Sequence, residues 1–443
     1  MKVAVFGLGY VGSVTAAGLA AVGHDVVGVD PDRFKVATVA AGRSPVVERG
    51  LDDLVAGGVD SGRLRATTSV ALAMEEADVS LLCVGTPSGS HGETHLGFLD
   101  RAVHEMRDAM EVATPPAGGH HAVVVRSTVP PGTVASLVAP VFADAPVGWR
   151  VGAAMCPEFL REGCAVADFY GPPFLVTGTD DPVTSRQLDE LFGFLRRTLG
   201  ADGFHHVGVG TAEALKYACN AFHATKVSFA NELARIFRGY GVDAREVMEV
   251  FCDDHKLNIA ATYLRPGFAF GGSCLPKDLR ALQHLARRLG VDAPLLAGTT
   301  QTNELVVRDV LERVIETGAR RVALVGLSFK ADTDDLRESP NVDLAERLIG
   351  KGFSLRIFDP VLNPDRLRGA NLNHVQERLP HLNSLLADSA GEALAGAEVA
   401  LVGNAGPTVA PALLASRPRT LIDLYGGLGA EVEALPGYQG VGW

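Results

Sequence analysis

No apolar run in the 443 residues approaches the roughly 18 that a membrane-spanning helix needs, so no integral membrane anchor is expected. Basic residues are in short supply: 40 Lys and Arg against 52 Asp and Glu leave a formal net charge of −12. That balance argues against nucleic acid or an anionic membrane as the main partner, because both require basic patches. Cysteine is sparse and unclustered. Cys83, Cys156, Cys164, Cys219, Cys252 and Cys274 include no C-x-x-C pair and no Cys/His cluster at zinc spacing, so no bound metal is expected. For all but one of them the plain reading is a buried or free thiol in a reducing cytosol. A strand pattern begins at Lys2, which leaves no room for a signal peptide, and the expected location is the cytoplasm. Low-complexity segments and short-period repeats are missing too.

What is present is the composition of a globular protein, 47% apolar and 21% charged, in a chain too long for one ordinary core. Val3–Phe6, Val26–Val29, Val79–Val84 and Val123–Val125 read as buried parallel strands, with enough chain between them for crossover helices. Thr211 to Phe237 carries apolar residues at helical spacing without Pro or Gly, which predicts one long helix ending near Gly239. A Gly-rich loop, Arg265 to Cys274, follows, and a further helix is expected from Lys277 or Asp278. Val322–Gly326, Leu355–Asp359, Val399–Gly403 and Leu421–Leu424 form another strand set. The expected fold class is α/β: an N-terminal Rossmann-like domain (1–205), a central helical domain with one long helix (206–300) and a C-terminal Rossmann-like α/β domain (301–443).

Gly7-Leu-Gly9-Tyr10-Val11-Gly12 follows the first strand and opens the first helix. Gly7 permits the tight turn, Gly9 lets a pyrophosphate approach the backbone, and Gly12 lets helix and strand pack closely. The helix N-terminus presents free N–H groups to the phosphates. A lone G-x-G-x-x-G is a weak signal, but here Asp30 closes the second strand, where a carboxylate accepts from a ribose 2′-OH and repels a 2′-phosphate. NAD is therefore the expected cofactor, although Arg33 is nearby. In the third domain the equivalent turn, Gly326 to Lys330, lacks the second and third glycines, so a mononucleotide bound by side chains such as Lys330 and Arg337 fits better than a second dinucleotide. Taken alone, the charged stretch Lys330–Glu338 is more often an ordinary solvated loop.

Cys274 stands apart, in Gly271-Gly-Ser-Cys-Leu-Pro-Lys-Asp278. The glycines let a substrate approach, and a helix N-terminus directly after the thiol would lower its pKa. Asp278 lies one turn further on, near enough to help position water. On the long helix Lys216, Asn220 and His223 fall at i, i+4 and i+7 and share one face. An amphipathic helix with a polar side explains that spacing about as well, and Glu213 and Lys226 could simply be exposed.

Together these motifs closely resemble the UDP-glucose/GDP-mannose dehydrogenase family. The matching segments are Phe6–Gly12, Cys83-Val-Gly-Thr-Pro87, Arg126-Ser-Thr-Val129, Pro157-Glu-Phe-Leu-Arg-Glu162, Lys216-Tyr-x-x-Asn220, Gly271–Asp278 and Phe329-Lys to Arg337-Glu-Ser-Pro340, in the family's order. Asp254-His-Lys-Leu-Asn258, the run Arg265–Cys274 and Cys219 to Glu232 look most like the branch that oxidises GDP-mannose, with UDP-glucose as the close alternative.

The resemblance implies a four-electron oxidation of a sugar C6 hydroxyl to a carboxylate through a cysteine thiohemiacetal and thioester. By the same resemblance Lys216 and Asn220 would stabilise the oxyanion at C6, and Asp278 would act with a water, with Thr128 and Glu158 along its path. Thr86, Thr128, Glu162 and Arg337 would neighbour NAD. Glu158, Phe159, Leu160, Lys216, Asn220, His223, Tyr263, Arg265, Gly271 and Lys330 would meet the nucleotide sugar. Family members form dimers through the long helix, and the GDP-mannose branch often feeds uronate polysaccharides of the alginate type. The chain departs from the family pattern at Cys156, where Asn is usual, and at Thr262, Asp332 and Phe222. Two-electron hydroxyacid dehydrogenases also join a Rossmann domain to a helical one but need neither the cysteine nor the third domain. A non-catalytic sensor would be expected to lose Cys274, Lys216 or Asp278.

Overall fold

The computed structural model describes residues 1–89, 93–260, 263–264, 266–272, 275–328, 336–362, 377–404 and 406–442. Cys274, Arg265, Lys330, Thr262 and Asp332 therefore lie outside the described residues. The chain divides into two compact units, Met1–Ala224 and Thr225–Trp443.

In the first unit eight strands form one sheet in the order β3-β2-β1-β4-β5-β6-β7-β8. They are β1 Lys2–Phe6, β2 Asp25–Val29, β3 Leu64–Thr67, β4 Val79–Leu82, β5 His120–Val125, β6 Arg150–Met155, β7 Leu175–Gly178 and β8 Phe204–Val207. All neighbours pair in parallel except β6 and β7. The continuous apolar runs follow from burial on both faces. Val3, Val5, Val79, Leu81 and Val124 pack into one core layer, while Ala4, Phe6, Leu82, Val123 and Val125 pack into the other. Each buried Val or Leu contributes about 1.5–3 kcal/mol. The chain reverses its direction of growth between β1 and β4, which leaves a crevice at the carboxyl ends of those strands. Helix α1, Tyr10–Ala21, follows β1, and α2, Gly97–Ala109, precedes β5.

The long helix α3 runs Val209–Arg238, two residues longer than its apolar pattern at the N-terminus and one at the C-terminus, and crosses from the first unit into the second. In the second unit α4, Leu275–Arg288, and α5, Pro294–Glu316, enclose a small helical core with Phe229, Leu233, Ile236 and Phe237 of α3. Helix α4 starts at Leu275, earlier than Lys277, because Pro276 fits the first helical turn, where its missing N–H has no partner to lose.

Five parallel strands, β9 Arg321–Val325, β10 Ser354–Phe358, β11 Val399–Val402, β12 Thr420–Asp423 and β13 Tyr438–Gly440, complete the second unit in the order β10-β9-β11-β12-β13. Helix α6, Pro340–Gly350, lies between β9 and β10 in the chain, with Ser339 capping it through the N–H of Asn341. Among the described residues no helix is long and apolar enough to cross a membrane.

Candidate active site

A cleft of about 570 Å³ opens at the β1/β4 switch point, lined by Gly7, Gly9, Tyr10, Val11, Asp30, Thr86, Thr128 and Glu158 among others. The three glycines differ in the space around them. Gly7 has φ +93°, and a Cβ there would stand 2.7 Å from the Cys83 carbonyl oxygen. At Gly12 it would stand 1.7 Å from the Gly7 oxygen, whereas at Gly9 it would meet nothing within 4 Å. Gly9 thus leaves open space in the cleft wall at the N-terminus of α1, where a pyrophosphate can reach the backbone.

Asp30 is buried and works on the turn itself. Its Oδ2 accepts the Leu8 N–H at 2.7 Å and its Oδ1 accepts the Asp32 N–H at 2.9 Å. Lys35, not Arg33, is the neighbouring cation, with Nζ 3.0 Å from Oδ2. The carboxylate keeps acceptor capacity toward the cleft that it lines, which suits a ribose hydroxyl. In the second unit Asp359 holds the equivalent place at the end of β10, but its oxygens accept from the N–H groups of Leu327, Ser328, Val361 and Leu362 and from the Ser328 hydroxyl. Five donors saturate that carboxylate, so it has nothing left for a ribose.

The loop after β5 carries Thr128 into the cleft. Thr86 Oγ1 donates to the Thr128 carbonyl at 3.0 Å, and Ser127 Oγ donates to the carbonyl of Val84 at 2.6 Å. The same loop is fastened from behind by Glu213. Its carboxylate, fully buried rather than exposed as the helical pattern allowed, accepts the N–H of Gly132 at 2.5 Å and that of Val134 at 2.8 Å. One turn along α3, Lys216 Nζ sits 3.0 Å from Glu158 Oε1 and 5.4 Å from the Phe159 ring centre. Glu158 Oε2 accepts the Leu160 N–H at 2.6 Å. Both side chains of the ion pair are about nine-tenths buried, so it is a fixed charge pair at the cleft wall. Asn220 and His223, further along α3, are exposed.

Beneath Glu158, Arg126 Nη1 donates to Cys156 Sγ at 3.3 Å, and its guanidinium stands 5.3 Å from the Phe192 ring centre. Among the described residues its buried Nε has no hydrogen-bond partner. Burial pushes the Cys83 thiol up to about 12 and raises Cys156 as well, with Arg126 opposing in both. Neither is a thiolate near neutrality, which removes both as nucleophiles.

Several lining residues escaped the sequence reading: Lys35 and the α2 face made by Phe98, Arg101, Ala102 and Glu105, while Arg126 and Ser127 were named only as part of a motif without a role. That face repeats at i, i+3, i+4 and i+7, a spacing visible in the sequence once α2 is placed. Glu162 is exposed and does not line the cleft, although the adjacent Gly163 N–H donates to Tyr10 Oη and to Glu48.

In the second unit the loop ahead of Cys274 is stitched to its surroundings. Phe268 N–H donates to the Leu424 carbonyl, and Phe270 exchanges two hydrogen bonds with Asn303. Gly271 is buried; a Cβ there would come 2.4 Å from the Glu338 carbonyl oxygen, so protein rather than substrate occupies that space. Tyr263 is exposed and adopts φ +66°, rare for a side-chain-bearing residue. Asp278 is exposed and paired with Lys277 at 2.8 Å, and Arg337 is half-buried.

A Gly-rich turn and an acidic residue closing the second strand, both in one cleft at the switch point of the sheet, define a dinucleotide-binding protein. Comparison with known proteins gives the class more closely. The NAD binding, central and UDP binding domains of the UDP-glucose/GDP-mannose dehydrogenase family match residues 1–195, 210–305 and 323–424. The GDP-mannose 6-dehydrogenase of Azotobacter vinelandii is 45% identical over 92% of both chains, and that of Pseudomonas aeruginosa 44% over 96% of this chain and 97% of its own. A ternary-complex crystal structure of GDP-mannose dehydrogenase from P. aeruginosa superposes with a TM-score of 0.92 at 43% identity, covering 100% of both chains. A UDP-glucose 6-dehydrogenase of Haloferax volcanii is 37% identical over 91% of both chains. The chain belongs to the UDP-glucose/GDP-mannose dehydrogenase family and is an NAD-dependent nucleotide-sugar dehydrogenase.

Proposed function

We propose that the enzyme oxidises GDP-mannose at C6 to GDP-mannuronate. The observation that carries this choice is the likeness to GDP-mannose 6-dehydrogenases, 45% identity against 37% for a UDP-glucose enzyme of similar coverage. Bound NAD supplies the two-electron acceptor, used twice for each sugar. Cys274 captures the aldehyde after the first oxidation, its sulfur bonding to C6 while the carbonyl oxygen takes a proton. After the second oxidation water displaces the thiol and leaves the carboxylate.

Lys216 and Asn220 serve as donors to the oxygen on C6, where preorganised charge lowers the barrier. Glu158 orients Lys216 and, with Thr128 and Asp278, lines the path of the hydrolytic water. Gly7, Gly9, Tyr10, Val11, Gly12, Asp30 and Thr86 serve NAD. Phe159, Leu160, His223, Tyr263, Arg265 and Lys330 serve the nucleotide sugar, whereas Gly271 packs against Glu338 instead. In this reading residues 1–205 bind NAD, 206–300 carry the catalytic helix and 301–443 bind the nucleotide. The enzyme works in the cytoplasm as a homodimer through α3 and supplies a uronate polysaccharide of the alginate type.

The test is the NADH released from limiting GDP-mannose or UDP-glucose in excess NAD. Two NADH per GDP-mannose with little from UDP-glucose is the expected result. Two per UDP-glucose would overturn the nucleotide assignment, and one per sugar would overturn the cysteine chemistry.

A further inference from the structure

The segment Pro266–Gly272 leads directly to Cys274 and contains Gly267, Gly271 and Gly272. Glycine loses more conformational freedom on ordering than any other residue, so such a stretch does not hold one shape by itself. Covalent capture nevertheless needs the sulfur near attack distance, about 3–3.5 Å from the carbon. A side chain outside the loop supplies part of the restraint. Asn303, on α5, accepts the Phe270 N–H through Oδ1 at 2.8 Å and donates through Nδ2 to the Phe270 carbonyl at 2.9 Å. The amide thereby grips both polar groups of one loop residue, as a neighbouring strand would.

The grip is anchored. Helix α5 is tied to α4 through Gln283, whose Nε2 donates to the Leu296 carbonyl at 2.9 Å and to Thr300 Oγ1 at 2.8 Å. Its N-terminus is tied to α3, where the buried Glu232 accepts the N–H groups of Leu295 and Leu296, each at 2.9 Å. Helix α4 begins at Leu275, immediately after Cys274. The nucleophile thus lies in the chain between Phe270, held by α5, and the start of α4, which is joined to α5.

We propose that Asn303 is a positioning residue: by fixing the backbone at Phe270, four residues ahead of Cys274 in the chain, it supports aldehyde capture. The proposal rests on the four-electron reading above. The first oxidation at C6 does not use the thiol, whereas capture does: the C–S bond forms, the carbonyl π bond opens and oxygen takes the proton. A loosened loop therefore spares the first step and slows capture, and free aldehyde escapes. Asn303 also lines a cavity of about 360 Å³, so replacing its amide does not force a clash into a packed core.

The experiment compares wild type with Asn303→Asp and Asn303→Ala, using GDP-mannose and excess NAD, with and without semicarbazide to trap free aldehyde. Asp keeps the shape and the acceptor for the Phe270 N–H but sets an oxygen against the Phe270 carbonyl. Wild type is expected to give two NADH per sugar and no semicarbazone. Each variant is expected to retain NAD affinity and a cooperative thermal transition. In the variants capture falls about tenfold relative to the first oxidation, and NADH per sugar in the trap drops from two toward one. Variants that fold, bind NAD and still give two NADH without semicarbazone would overturn the proposal, since a merely structural role changes the rate and not the partition. One NADH per sugar from wild type itself would instead overturn the underlying four-electron reading.

Discussion

Lys216 on α3 and Glu158 in the loop after β6 form an ion pair, Nζ to Oε1 at 3.0 Å, with both side chains about nine-tenths buried. Removing one partner strands the other charge away from water, which costs about 3–5 kcal/mol when a buried pair is broken. Lys216→Met should therefore lower the stability of the N-terminal unit by about 3 kcal/mol and NADH production by at least about a hundredfold. In the double variant Lys216→Met/Glu158→Leu most of the stability should return, because no charge is left unpaired, while activity stays lost. Urea unfolding and initial rates read the two effects separately. A double variant as unstable as Lys216→Met alone would mean that the pair is not what the single change disturbs.

The glycines of the first turn give a cleaner separation of fold from function. Gly9 has φ −81°, a value open to alanine, and a Cβ there meets nothing within 4 Å. Gly9→Ala should leave the melting temperature within about 2 °C of wild type. The added methyl should also reduce NAD affinity at least about tenfold by standing where the pyrophosphate approaches. Gly12→Ala, with its methyl 1.7 Å from the Gly7 oxygen, should cost about 3 kcal/mol or more and compromise folding itself. Calorimetric titration of NAD against Gly9→Ala decides the matter. Wild-type affinity there would place the phosphates elsewhere.

The glycine turn was legible because its requirement is local: a missing Cβ is written into the sequence at the position where backbone must approach backbone. The long helix was legible for a similar reason, since its apolar spacing repeats without Pro or Gly from Thr211 to Phe237. Glu213 and Asn303 were not. A polar residue on a helix carries no sign of whether it meets water or the N–H groups of a distant loop, and here Gly132, Val134 and Phe270 supply those partners only once the chain has folded. The short strands β3, β7 and β8 were hidden because four residues each, with Arg65, Thr177, His205 and His206 among them, show no sustained apolar run. Lys35 was overlooked beside Asp30 because the first turn of the helix Arg33–Ala40, rather than adjacency in sequence, folds it back to the carboxylate.

His121, on β5, ties acid stability to one buried ring. The imidazole is fully buried, with Nδ1 at 2.7 Å from the Ala77 carbonyl and the ring edge-on to Trp149 at 5.6 Å between centres. Burial holds its pKa down to about 4, while the unfolded ring titrates near the ordinary value of about 6.5. Between those values the unfolded chain binds a proton that the folded chain refuses. Stability therefore falls as pH drops through that window and is at its full value above about 6.5. The shift corresponds to a loss on the order of 3 kcal/mol once pH reaches about 4. Burial also holds His24 and His120 below the ordinary value, so they titrate in the same window in wild type and variant alike, whereas Asp168 and Asp181, held below the usual carboxylate range, lose their contribution only at lower pH. His121→Phe preserves the ring against Trp149 and removes the titration. Trp149 emission followed through urea unfolding at pH 7 and pH 4.5 should show a loss of stability in wild type about 2–3 kcal/mol larger than in the variant. Equal losses would mean that the ring is hydrated or already charged in the folded state, and the acid sensitivity of this unit would have to come from other groups.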